Sequence, residues 1–222
     1  TENGSLKISS AATLAGAITE GLDYLVRFPY GCSEQIASAI LPNVAVKRLL
    51  NTGKITLENI DEKSLDEYVS TGLQQLYKNQ QGNGGFGLWL NSTSNAYLTA
   101  HVTMAMFEAR KAGYTVDQSA LDSARKYLTS FLTQKENPAF SLQYRLNTRA
   151  FVLYVLAELG EHDAGLLNNL YEQRDQLSLL SRAYLLMAYG LLPAEDDTGS
   201  AGKLTALREE LENSALQTPR GV

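Results

Sequence analysis

Three apolar stretches, headed by Ala96-Tyr97-Leu98, Ala150-Phe151-Val152 and Ala183-Tyr184-Leu185, each run to a glycine (Gly113, Gly160, Gly190). A more charged segment follows each glycine. Apolar side chains recur within these stretches every three to four residues, which reads as helix, and strand-like alternation is scarce. A helix that is apolar all round has to be buried, and a helix apolar on one side can cover it. Alternation of the two kinds predicts an all-α chain of stacked helical hairpins. Such hairpins build either an open solenoid or a closed α/α toroid, and periodicity does not choose between them.

The remaining apolar stripes extend this reading along the chain. Ala12, Ala15, Ile18, Leu22 and Leu25 form a first stripe. Ile36, Ala39, Ile40, Ala45 and Leu49 form a second, bent at Pro42 and closed by Gly53. Val69, Leu73, Leu76 and Tyr77 predict a helix ending before Gly82. Helices are expected over 94–112 and 147–159, with Leu121, Ala124, Leu128 and Phe131 facing inward from the segment between them. Segments from Leu166 to Asp175, Leu180 to Leu192 and Leu204 to Leu211 complete the series. There is room for a short two-stranded β element around Ser5 to Ile8.

With 222 residues, 44% of them hydrophobic, the chain can bury a substantial core as one domain or two small ones. A net charge of −5 argues against a nucleic-acid partner, which needs a basic face. No apolar run reaches the roughly 18 residues of a membrane span, so no membrane insertion is expected. A single cysteine excludes an intramolecular disulfide and any multi-cysteine zinc site. With the two histidines far apart in sequence, neither a metal nor a cofactor is expected.

That cysteine, Cys32, stands in Phe28-Pro29-Tyr30-Gly31-Cys32-Ser33-Glu34-Gln35. Gln35 lies three positions on, where a helix is expected to begin. One tight turn can bring the Gln35 acyl carbon to the sulfur, and loss of ammonia would leave an internal thioester. A thiolate is a far better leaving group than an amine, so such a bond is a ready acyl donor. Pro29 fixes its own φ and holds Phe28 extended, and Gly31 permits a close approach beside the sulfur. Ser33 and Glu34 suit a first helical turn, whose N–H groups could also receive an oxyanion. These residues equally allow a small buried apolar cysteine.

Pro29-Tyr30-Gly31-Cys32-Ser33-Glu34-Gln35 resembles the P-Y-G-C-x-E-Q thioester signature of the α-macroglobulin and complement family, most closely its bacterial members. Asn83-Gly84-Gly85-Phe86-Gly87-Leu88-Trp89 and Tyr97-Leu98-Thr99-Ala100-His101-Val102 are similar to the bacterial G-G-F-x-L-W and W-L-T-A-Y-V blocks. Tyr97 stands for the usual Trp and His101 for the usual Tyr. Gly4-Ser5-Leu6-Lys7-Ile8 and Leu22-Asp23-Tyr24-Leu25 fit the approach to the motif. The resemblance implies that 1–222 is a single thioester-containing domain cut from a larger protein. It implies a toroid with inner helices near 33–52, 94–112, 147–159 and 178–191, whose starts gather on one face with the thioester.

By the same resemblance, Cys32 and Gln35 form the crosslink, which acylates lysines of an attacking protease once the parent protein is activated. The chain is then an inhibitor with a single-turnover bond and not an enzyme. Its expected partners are target proteases and neighbouring domains, in the periplasm or at a bacterial cell surface. Glu34 supplies charge at the helix start, and Tyr30 shields the bond from water. Phe28, Trp89 and Tyr97 are weaker candidates for that wall and read first as core. Some complement components use a histidine downstream, but the corresponding stretch, Glu136 to Asn147, has none; Tyr144 lies there instead and could approach the bond. His101 reads as a packing residue with a satisfied hydrogen bond, and His162 as surface. Without a histidine relay, amines should outpace hydroxyls. Two other readings stay open: a helical scaffold with an inert cysteine, and a prenyltransferase-like toroid, although no D-x-D-D cluster or third zinc ligand is found and Asp196-Asp197 reads as a solvated loop pair.

Overall fold

The computed structural model describes residues 31–52, 62–135, 137–193 and 199–214. The first stripe, the β element at Ser5 to Ile8, Phe28, Tyr30, Gly53 and Asp196-Asp197 lie outside them. The described residues form α1 (Ser33–Asn51), α2 (Glu62–Asn79), α3 (Ala96–Lys111), α4 (Gln118–Thr133), α5 (Leu142–Glu158), α6 (Ala164–Glu172), α7 (Leu179–Gly190) and α8 (Ser200–Asn213). A 3₁₀ turn, Arg174–Gln176, joins α6 to α7. The all-α expectation holds.

Helices α1, α3, α5 and α7 pack side by side as an inner layer, and α2, α4, α6 and α8 lie outside them. This is the layering of an α/α toroid. The inner helices are the ones apolar on most sides: in α3, ten of sixteen residues are buried, from Ala96 to Ala109. Outer helices bury one stripe, as α4 does with Ala120, Leu121, Ala124, Leu128 and Leu132. One core lies between α1, α2, α3 and the start of α4, closed by the fully buried Phe86. A second fills the space between α3 and α8, and Leu41 of α1 packs against both.

The inner helices share a direction. Ser38 of α1 and His101 of α3 each stand six residues into their helix and touch, with Ser38 Oγ 3.0 Å from His101 Nε2. Asn95, at the start of α3, donates to the Tyr144 hydroxyl in the first turn of α5 at 3.2 Å. The Ser178 N–H, heading α7, donates to Asn147 of α5 at 3.0 Å. At the far end, Arg48 pairs with Glu108 at 2.7 Å and Lys111 with Glu158 at 3.5 Å. All four starts therefore lie at one end of the ring.

One helix start differs from the sequence expectation. α5 begins at Leu142, not near 147, because Ser141 caps it by accepting from the Tyr144 N–H at 3.2 Å. Its first turn exposes Leu142 and Tyr144, so no inward stripe begins until Leu146. Ala150 consequently lies inside α5 and does not open it, and Ala183 lies inside α7, which starts at Leu179 within the range expected for it. Pro42 sits within α1, where it leaves the Ser38 carbonyl without its usual donor.

Candidate functional site

Asn95, Asp117, Ser141, Asp163 and Ser178 cap their helices with side-chain oxygens that accept from first-turn N–H groups. α1 breaks this pattern by placing Cys32 at its cap, with an extended backbone at φ −67° and ψ 166°. A thiol is a weak cap, so preference for helix initiation does not account for it. Gln35 compensates. Its side-chain carbonyl turns back and accepts from the Cys32 N–H at 3.1 Å, while the sulfur faces the Gln35 N–H, a reciprocal capping box. Sulfur and carboxamide are thus held on one turn. Gly31 is what permits it: a Cβ there would lie 2.9 Å from both Cβ and Oε1 of Gln35. Cys32 is half-buried, and Glu34 and Gln35 are exposed.

The glycine-rich segment is moored to this turn through Ser33. The Ser33 N–H donates to the Leu88 carbonyl at 2.9 Å, and its hydroxyl donates to the same oxygen at 3.3 Å. Asn79 Nδ2 donates to Ser33 Oγ at 3.2 Å. The Ser33 N–H is therefore occupied and cannot receive an oxyanion, contrary to the expectation for this turn. Further along, Phe86 N–H donates to Thr99 Oγ1 at 2.8 Å and the Phe86 carbonyl accepts from Asn95 N–H at 2.9 Å. The segment is fixed at both ends, against α1 and against α3.

Glu34 belongs to a hydrogen-bonded chain. The Ser38 hydroxyl, one turn on, donates to Glu34 Oε1 at 2.9 Å and meets His101 Nε2 at 3.0 Å. Burial pushes the His101 imidazole below its ordinary range, and the Glu34 charge opposes this in part. A cavity of about 450 Å³ opens beside the chain, walled by Glu34, Leu88, Trp89, Tyr97 and His101 among others. Trp89 and Tyr97 are not core, as their size first implied: they are 57% and 42% exposed. The Tyr97 ring leans on Phe151, centroid to centroid 5.1 Å, and this tilted contact holds it at the rim. Tyr144 lies at the same end of the ring, with its hydroxyl on Asn95 and its ring 4.9 Å from Phe140.

Ser38, Asn79 and the Leu88 carbonyl escaped the sequence reading, as did the tie of Ser33 to Leu88, since Ser33 was read only as a first-turn residue. Ser38 carried a faint signal, standing four residues after Glu34 on one helix face. The Leu88 carbonyl carried none, since a main-chain group has no residue type. Among the described residues, no group of three or more His, Cys, Asp or Glu side chains could hold a metal ion. No described helix is long and apolar enough to cross a membrane.

Comparison with known proteins follows the same lines. A profile of the A-macroglobulin TED domain matches residues 7–156. An α-2-macroglobulin homolog of Yersinia pestis is 28% identical over 188 residues, covering 81% of this chain and 9% of its own length. Thioester-containing protein 1 (allele S3) of Anopheles gambiae is 29% identical over 207 residues, covering 82% of this chain and 15% of its own. The chain thus spans a small fraction of these relatives. A crystal structure of Salmonella α-2-macroglobulin reacted with methylamine superposes with a TM-score of 0.71 at 24% identity, over 92% of this chain and 13% of that one, a likeness of fold. On the match that spans residues 7–156, this chain belongs to the A-macroglobulin TED domain family.

Proposed function

We propose that this domain carries a Cys32–Gln35 thioester and serves as the single-use acyl donor of a protease-trapping protein. The observation that supports it is the reciprocal box at the start of α1, which holds sulfur and carboxamide on one turn. The sulfur adds to the Gln35 carboxamide carbon, the amide nitrogen leaves as ammonia with the thiol proton, and the acyl–sulfur bond remains. Residues 1–222 act as one domain of a longer chain whose other domains cover the bond in the periplasm or at a bacterial cell surface. Cleavage of that chain by a protease uncovers it. A lysine amine then takes the Gln35 acyl group and Cys32 leaves as a thiol. Water exclusion decides the lifetime of the bond.

Intact mass of the natively purified full-length protein tests this directly. A deficit of one ammonia is expected, reversed on methylamine treatment by the mass of one methylamine with release of one titratable thiol. A protein with no deficit and no thiol release has an inert cysteine, and the trap reading falls. Methylamine should also form adducts in preference to glycerol, since amines are the better nucleophiles toward thioesters; preference for glycerol counts against lysine as the target.

A further inference from the structure

A cavity lies beside the Cys32–Gln35 turn and meets it at Glu34. Its volume of about 450 Å³ falls in the range of small-ligand sites. A carboxylate, Glu34, stands in its wall one residue from the acyl carbon's own residue. Two aromatic side chains, Trp89 and Tyr97, stand exposed in the same wall, and His101 completes it. Carboxylate, aromatic faces and imidazole together match one class of molecule, a primary alkylammonium.

The hydrogen-bond directions define what the imidazole offers. Ser38 has one hydroxyl proton, and it is donated to Glu34 Oε1. The Ser38 oxygen must then accept from His101 Nε2–H. This tautomer leaves Nδ1 with the ring's lone pair. Burial favours the neutral ring that such a role needs.

We propose that this cavity is a lysine subsite: Glu34 holds the incoming ammonium, Trp89 and Tyr97 flank its methylene stem, and His101 accepts its proton. The inference rests on the thioester reading and adds the recognition of the nucleophile. The ammonium gives one proton to His101 Nδ1. The freed nitrogen lone pair attacks the Gln35 acyl carbon, and the carbon–sulfur bond breaks with its electron pair going to sulfur. The thiolate takes the second proton from the attacking nitrogen, leaving Cys32 as a thiol and the lysine as an amide. The imidazolium returns its proton to water.

Thiol release from the full-length native protein distinguishes the possibilities, with Nα-acetyl-lysine amide, methylamine and hydroxylamine as nucleophiles. Each rate is normalised to the same nucleophile acting on a small acyl thioester. The lysine derivative should exceed methylamine by about tenfold, and Glu34→Gln or Trp89→Ala should erase most of that ratio. His101→Phe should slow both cationic amines by at least about tenfold. It should spare hydroxylamine, which is neutral at pH 7 and needs no proton removed. Variants that keep the wild-type lysine-to-methylamine ratio, or that slow hydroxylamine as much as lysine, overturn the subsite while leaving the thioester intact. A wild-type protein that releases no thiol to any of the three removes the thioester and the subsite with it. If Glu34→Gln fails to form the bond, Trp89→Ala and His101→Phe still decide.

Discussion

At the scale of single residues, the site depends on positions whose side chains do little chemistry. Gly31 matters because of what it lacks, since any Cβ would press on the folded-back Gln35 side chain. Gly31→Ala is expected to swing Gln35 away from Cys32, and the measured consequence is a lower fraction of molecules showing the ammonia deficit, with the fold retained by circular dichroism. Ser33 holds Leu88 and is held by Asn79. Ser33→Ala removes two side-chain hydrogen bonds at a buried position, and denaturant unfolding should show a loss of about 1–2 kcal/mol. The main-chain bond to Leu88 survives that substitution, so thioester formation should persist. That Cys32 and Gln35 share one turn was legible in sequence, because a three-residue spacing at a helix start is printed in the chain. The Ser38–His101 contact was not, because it joins positions 63 residues apart whose proximity follows only from the common register of α1 and α3.

At the scale of elements, the glycine-rich segment between α2 and α3 behaves as a fixed part and not as a loose connection. Gly84 has φ +85°, and a Cβ there would collide with the Ser123 backbone of α4. Gly84→Ala should therefore cost more than about 1 kcal/mol, from the left-handed conformation alone, before any clash is counted. Because the segment ends on the Ser33 N–H, the same variant should also raise the rate of spontaneous thiol release, a readout that global stability need not move. Helix stops at Gly113 and Gly160 were legible because both adopt positive φ, +98° and +85°, the conformation that favours glycine. The start of α5 was not legible. Its opening turn points apolar side chains outward, so the periodicity that marks a buried face begins late.

At the scale of the whole molecule, alternation of all-apolar and one-sided helices announced two layers, while the ring came from family resemblance and likeness of fold, and the gathering of helix starts at one end from contacts. A cluster between α1, α2 and the α3–α4 turn ties the first hairpin to the next. Asp66 takes a hydrogen bond from the Tyr114 hydroxyl at 2.6 Å and pairs with Lys47 at 3.1 Å. Burial works to raise the Asp66 pKa, but the bonds from Tyr114 and Lys47 outweigh it and hold the carboxyl below its ordinary range. As pH falls, the unfolded chain therefore binds this proton first. The contribution to stability is full above the unfolded value of about 3.9 and is lost as pH drops through the lower native value. Thermal melts between about pH 5 and pH 3 should fall less steeply for Asp66→Asn than for the wild type. The partial exposure of the pair keeps the effect modest. The shared direction of α1, α3, α5 and α7 carries an electrical corollary. Each inner helix leaves roughly half a positive charge at its own beginning, while α2, running the other way, ends beside the start of α1. At the start of α1 that partial charge falls directly on Cys32, within the single turn over which it acts, and it favours the departure of sulfur as an anion.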